Sequence, residues 1–226
     1  MIGVVLLVIV SILIFLGLAQ RVLDQLYLSD RGGLLVIAAM VAGSFVDIPI
    51  MRDPSVSLNV GGALVPIGLA IYVLVKAGSR KEVWHSILGI VLTAGVLYAV
   101  TKLYRFDVDQ GFIDPQYLWA IIAAVIAYVI GRSRRLAYII ATLGVLFMDL
   151  VHVVESGVRY LNAPTMIGGA GAFDTIVVAG VLAVLITEVL GESLEALQGG
   201  PSEKGKSKEL VNALDHPEGT EERKEE

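Results

Sequence analysis

The sequence predicts an all-α, polytopic membrane protein of about seven transmembrane helices with a parallel internal repeat. Three observations carry this. Hydrophobic residues form 56% of the 226-residue chain and charged residues only 17%, against about a quarter charged in ordinary soluble domains; the mean hydropathy is +0.77. Apolar runs long enough to cross a bilayer, roughly 17–25 residues, recur along the chain. One stretch with an embedded aspartate and a following Gly-Gly-Ala occurs twice.

The runs lie near residues 2–19, 33–50, 60–78, 84–103, 116–131, 136–154 and 172–190. The first lacks the basic segment that precedes a signal sequence and exceeds the usual apolar core of one, so it reads as a retained span. Arg21 and the amphipathic stretch 22–28 follow it, suited to lie along the interface. Pro66 is expected to kink the third run, and the fifth is the shortest. Beyond Gly191 the composition changes. Gly199-Gly200-Pro201 ends any helix, and residues 202–226 are too charged to bury the surface that would offset ordering entropy, so a disordered tail is expected. The domains are therefore a transmembrane helical domain, 1–190, and a charged tail, 191–226. The chain has no cysteine, which excludes disulfides, a thiolate nucleophile and cysteine metal ligation. No phosphate-binding loop, nucleotide fold or nucleic-acid motif is present, and no cofactor is expected.

Charge orients the spans. Lys76, Arg80 and Lys81 follow the third, Arg132, Arg134 and Arg135 the fifth, and Lys204, Lys206 and Lys208 the seventh. Basic residues in short loops mark the cytoplasmic side, and seven crossings put all three groups there. The opposite side, with Asp107, Asp109 and Asp114, is net acidic. The expected location is the cell membrane, with the amino terminus outside and the carboxyl terminus cytoplasmic.

The duplicated unit defines the site to look for. Phe45 and Asp47 recur as Phe147 and Asp149, and Val60-Gly61-Gly62-Ala63 recurs as Ile167-Gly168-Gly169-Ala170. Spans two and three and spans six and seven run the same way through the membrane, which makes the repeat parallel, about an axis near the membrane normal. A carboxylate within a span is costly, about 2.5–3.5 kcal/mol on insertion scales, and normally faces a partner, water or the bundle interior. Asp47, Asn59, Asp149, His152 and Asp174, with Gly61, Gly62, Gly168 and Gly169, are the candidate binding residues. The alternatives are that Asp47 caps its helix and that the glycines only allow close helix packing; at helix starts they equally free backbone N–H groups for an anion. Asp149, His152, Glu155 and Arg159 form one helical stripe. Asp149 and His152 suit a divalent cation, Glu155 and Arg159 a surface ion pair, and a metal is left open.

Ser44-Phe45-Val46-Asp47-Ile48-Pro49, Asn59-Val60-Gly61-Gly62-Ala63-Leu64-Val65-Pro66 and Ile167-Gly168-Gly169-Ala170-Gly171-Ala172-Phe173-Asp174 together resemble an uncharacterised family of bacterial and archaeal integral membrane proteins, domain of unknown function 1614. The resemblance covers about residues 1–190. It implies a multi-pass membrane fold and no established activity. A weaker resemblance is to intramembrane aspartyl proteases, which pair aspartates on consecutive helices. Asp149 and Asp174 are such a pair and could divide into acid and base, but Gly169-Ala170-Gly171-Ala172-Phe173-Asp174 is out of register with their Gly-x-Gly-Asp.

Three functions follow: a small-solute or ion permease with an outward-facing acidic pocket, a membrane scaffold or sensor, and an aspartyl-type hydrolase using Asp149 and Asp174, ranked in that order. The expected partners are the bilayer and an ion or small solute, with no nucleic acid; a homo-oligomer is left open. The charge pattern makes a direct prediction. Reporter fusions after residue 80 and after residue 226 should both report a cytoplasmic location, and an external signal from either would overturn the orientation.

Overall fold

The computed structural model describes residues 26, 28–52, 55–76, 79–103, 115–131, 133–158 and 164–197. The expected first span, most of the amphipathic stretch, the acidic segment around Asp107–Asp114, Arg132, Arg159 and the charged tail lie outside the described residues. The chain divides into two compact units, 1–188 and 189–226. Of the second, the described part is the end of the last helix, where Ser193 Oγ donates to Val189 O at 2.6 Å.

Helix α1 runs Asp30–Gly43, started by Ser29, whose Oγ accepts from Gly32 N at 3.2 Å. Two strands follow, β1 (Asp47–Arg52) and β2 (Ser55–Asn59), and then a π-helical turn at Val60–Leu64 leads into α2 (Val65–Val75). Helices α3 (Arg80–Leu103), α4 (Pro115–Gly131) and α5 (Arg134–Val158) come next. A short strand β3 (Thr165–Ile167) and a 3-10 turn (Gly171–Phe173) precede α6 (Thr175–Leu197). The sheet order is β1-β2-β3, the first pair antiparallel and the second parallel.

One expectation is corrected. The second apolar run is not helical to residue 50: the helix stops at Gly43, and Asp47–Arg52 is a strand. Pro49 cannot donate a helical hydrogen bond, the β-branched Val46, Ile48 and Ile50 around it favour extended backbone, and an edge strand with a bulge between Pro49 and Met51 tolerates the proline. Pro66 sits inside the continuous helical stretch Val60–Val75, just after the π turn, whose extra residue accommodates the N–H that proline lacks.

Ion pairs give the directions of the long helices. Arg135 meets Glu82 at 3.8 Å at one end of α3 and α5, and Lys102 meets Glu155 at 2.7 Å at the other, so the two run parallel. Helix α6 runs against them, because Arg134 pairs with Glu188. Small residues let the helices approach. Ala120, Ala123, Ala124, Ala127 and Gly131 form the buried side of α4. Gly144 of α5 lies against Thr93 of α3, and Gly180 of α6 against Tyr138 and Thr142 of α5. Among the described residues, α3 and α5 are long and apolar enough to cross a membrane, and α1, the turn with α2, α4 and the start of α6 are shorter apolar helices.

The packing yields a contrast in stability. A Cβ at Gly144 would lie 2.8 Å from Thr93 Cβ, whereas one at Gly95 meets nothing within 4 Å. Gly144→Val should destabilise by about 1–3 kcal/mol through overpacking, while Gly95→Ala should be neutral or gain up to about 1 kcal/mol of helix propensity. Thermal unfolding in detergent, followed by circular dichroism, separates the two.

Candidate functional site

The residues singled out in the sequence gather into two groups. The first is built where the two Gly-Gly-Ala segments meet. Strand β2 lies beside β3 with Val56, Ser57 and Leu58 opposite Thr165, Met166 and Ile167, so the chain arrives at both glycine segments in the same direction. A Cβ at Gly62 would overlap the carbonyl oxygen of Gly168 and sit 2.7 Å from that of Gly171. One at Gly61 would overlap the carbonyl of Met40, at the end of α1. Gly168 and Gly171 have φ of +73° and +62°, a left-handed conformation natural only to glycine. Backbone therefore fills the space beside Gly61, Gly62 and Gly168, and the Met166 side chain fills the space beside Gly169.

Two polar side chains lock this crossing. Asn59, only 1% exposed, accepts from Gly62 N at 2.8 Å and donates to Ser44 O at 2.9 Å and to Asp47 Oδ1 at 2.8 Å. Ser44 Oγ donates to Met40 O at 2.7 Å and accepts from Ala172 N at 2.7 Å. The end of α1, the hairpin, the π turn and the approach to α6 are thus joined by five hydrogen bonds. Asp47 belongs here, at the start of an exposed strand. Its setting is unlike that of Asp149 inside α5, so the sequence repeat does not carry over to the two aspartates. Sequence reasoning missed Ser44, although Ser44 and Asn59 both stand at the break between helix and loop, where side chains replace lost helical hydrogen bonds.

The second group is acidic. Asp149 projects from α5, and Asp174 precedes α6. Asp174 Oδ1 accepts from Ile176 N at 3.0 Å and Oδ2 from Ala170 N at 3.3 Å, the helix-capping pattern of an aspartate. The two carboxylates lie within each other's electrostatic reach. Among the described residues Asp149 has no hydrogen-bond or ion-pair partner. One turn further along α5 is a rim of mixed charge. Glu155 accepts from Lys102 Nζ at 2.7 Å and from Tyr98 Oη at 3.3 Å, and Lys102 lies 5.2 Å from the Tyr98 ring centroid. The His152 ring sits 5.9 Å from that of Tyr98, and its buried Nε2 has no partner among the described residues. The Glu155–Arg159 pair expected from sequence reaches beyond the described residues; among them, Lys102 of α3 pairs with Glu155. Tyr98 and Lys102, four apart near the end of their run, were the legible signal for this rim and were overlooked. No group of three or more metal-ligating side chains gathers among the described residues.

The architecture defines a class: a helical bundle with two candidate spans, a small sheet that joins two glycine-rich segments, and an acidic pair on its last two helices. The sequence profile of the family described as protein of unknown function (DUF1614) matches residues 35–186, and the chain belongs to that family. The matched region contains both groups of residues. No curated protein and no solved structure matches the chain.

The locked crossing predicts an order of effects. Asn59→Asp would turn the donor that faces Asp47 Oδ1 and Ser44 O into a second carboxylate. It should destabilise more than Asn59→Ala, which itself leaves buried groups unpaired at about 1–3 kcal/mol each. Asp47→Asn, on the exposed strand, should change little. Unfolding midpoints of the three variants in one detergent test the order, and equal midpoints for all three would refute it.

Proposed function

We propose that this chain is a multi-pass membrane protein, with its amino terminus outside, that acts as a permease for an ion or small solute, and that Asp149 and Asp174 form its cation-attracting pocket in the outer half of the bundle. The bilayer reading draws support from α3, whose outward side carries Ile87, Leu88, Val91 and Leu92 exposed, with Trp84 at its end 65% exposed. An apolar surface that continuous is rare on a soluble monomer, and a tryptophan near a helix end suits the membrane interface. Arg80, Lys81, Arg134 and Arg135 lie where α3 and α5 begin, at one shared end, which supports a cytoplasmic assignment for that end.

The observation that carries the transport reading is the acidic pair itself. Two interacting carboxylates on an apolar bundle, one of them without a protein partner among the described residues, repel each other and are relieved by a proton or another cation. Interrupted helices add support. At about 1.5 Å per residue, α1 covers about 21 Å, less than the roughly 30 Å hydrocarbon core. The polar crossing beyond it has its hydrogen bonds satisfied within the protein, as broken helices of transporters require. A hydrolase fits less well, because Asp174 makes the two backbone hydrogen bonds of a helix cap and lies out of register with the Gly-x-Gly-Asp pattern of aspartyl proteases. His152 stands at the mouth, beside the Lys102–Glu155 pair.

The test is flux. Liposomes holding the purified protein and a trapped pH dye, under an acid pulse and then under Na⁺ and K⁺ gradients, should dissipate at least one gradient faster than protein-free liposomes. Asp149→Asn should reduce that rate by tenfold or more without changing the elution profile or the unfolding midpoint. Rates equal to protein-free liposomes for all three cations, or a fully active Asp149→Leu, would sink the reading.

A further inference from the structure

Helices α5 and α6 meet along a seam that carries polar groups at three levels. Arg134 pairs with Glu188 at one end, and the carboxylates of Asp149 and Asp174 interact at the other. Between them, Gly180 of α6 makes room for two hydroxyl side chains of α5. A Cβ on Gly180 would overlap Thr142 Oγ1 and sit 2.8 Å from Tyr138 Cε2. Arg134, Tyr138, Thr142, Val145 and Asp149 follow at spacings of four, four, three and four residues, so they share one face of α5.

The middle level has hydrogen-bonding capacity that the fold does not use. Thr142 is fully buried, and its hydroxyl is turned to that of Tyr138, yet Thr142 Oγ1 completes no hydrogen bond among the described residues. A helical threonine ordinarily donates to the carbonyl four residues back, as Thr187 does to Ala183 O at 2.7 Å. A buried hydroxyl left unused is costly and calls for a reason. The buried Tyr138 Oη donates to Pro66 O at 3.4 Å, a long bond that its proton leaves easily. Apolar layers lie on either side. Val145 stands between Thr142 and Asp149, and Val184 packs with Tyr138 one turn short of Glu188.

We propose that the permeant cation is a proton and that this seam is its route, with the hydroxyls of Thr142 and Tyr138 passing it between the acidic pair and Glu188. The inference rests on the permease reading and narrows it. Two features select a proton over Na⁺ or K⁺. Contact with Gly180 leaves the hydroxyls no room for an ion that needs a shell of oxygen ligands. Each hydroxyl is also both donor and acceptor, so it takes a proton on its oxygen, releases its own, and ends unchanged. Acidic side chains at both ends load and unload such a relay. Thr142 and Asp149 stand about 10 Å apart along the axis, with buried Val145 between them. The proton crosses that layer on water that enters when the seam loosens.

Proteoliposomes holding the full-length protein and a trapped pH dye test this, under acid pulses with K⁺ and valinomycin holding the membrane potential at zero. The wild type should dissipate the pulse. Thr142→Val and Tyr138→Phe keep the side-chain shape and lose the hydroxyl, and each should slow the flux about tenfold, equal to about 1.4 kcal/mol on one barrier. Thr142→Ser should keep the wild-type rate. Thr93→Val removes another fully buried hydroxyl, on α3 against Gly144 and away from the seam, and should change nothing. Unfolding midpoints show which variants fold. A wild-type rate in folded Thr142→Val or folded Tyr138→Phe overturns the route and leaves the permease standing, as does a wild type that moves Na⁺ or K⁺ but no protons. A loss in Thr93→Val as large as in Thr142→Val marks a packing effect and overturns the route too. A wild type that moves no cation takes both readings down.

Discussion

Backbone meeting backbone at the two glycine segments is the constraint on which the rest of this structure depends. Gly62 approaches Gly168 and Gly171 so closely that a single methyl group on it would collide with their carbonyl oxygens. Such an approach leaves no room for side chains to satisfy the polar groups of the broken helices, so that task falls to two residues just outside the contact. Asn59 and Ser44 supply it, each reaching across from one segment to another. Unpaired buried polar groups cost about 1–3 kcal/mol each, and the crossing forms only because these bonds form with it.

The acidic pair is a consequence of that crossing. Once Gly171 turns with a left-handed φ beside Ser44, the chain enters α6 through Asp174, whose carboxylate caps the new helix. The start of α6 is thereby held at the level of Asp149 on α5. Neither aspartate was placed there by its own interactions with the other, since like charges repel. The backbone geometry imposes their proximity, and a cost imposed by the fold is a usual mark of a functional site.

Electrostatics divides the remaining charges by depth. Arg134, Arg135 and their acidic partners bind the ends of α3, α5 and α6, and Lys102, Tyr98 and Glu155 close the far end of α3 and α5. Between these layers the helices meet through alanine, glycine and threonine, which brings their backbones into close van der Waals contact.

Composition and local pattern by themselves determined the helical class and the family. They also located four of the six described helices to within about five residues at each end, because long apolar runs bounded by charges have few alternatives. The recurrence of the glycine segments was legible, though not that they meet, and Asp149 and Asp174 were legible as costly charges. Only the tertiary structure decided the rest. Where the second run breaks after Gly43, the Ser44 carbonyl accepts from Asn59, fifteen residues on, in place of a helical N–H. Glu155 meets Lys102 because α3 lies alongside α5. Asp47 parts from Asp149 because a strand and a helix interior offer a carboxylate different surroundings, whatever the sequence around it repeats. Each of these is a long-range contact, and the spacing of residues along a chain carries no record of which distant groups will meet.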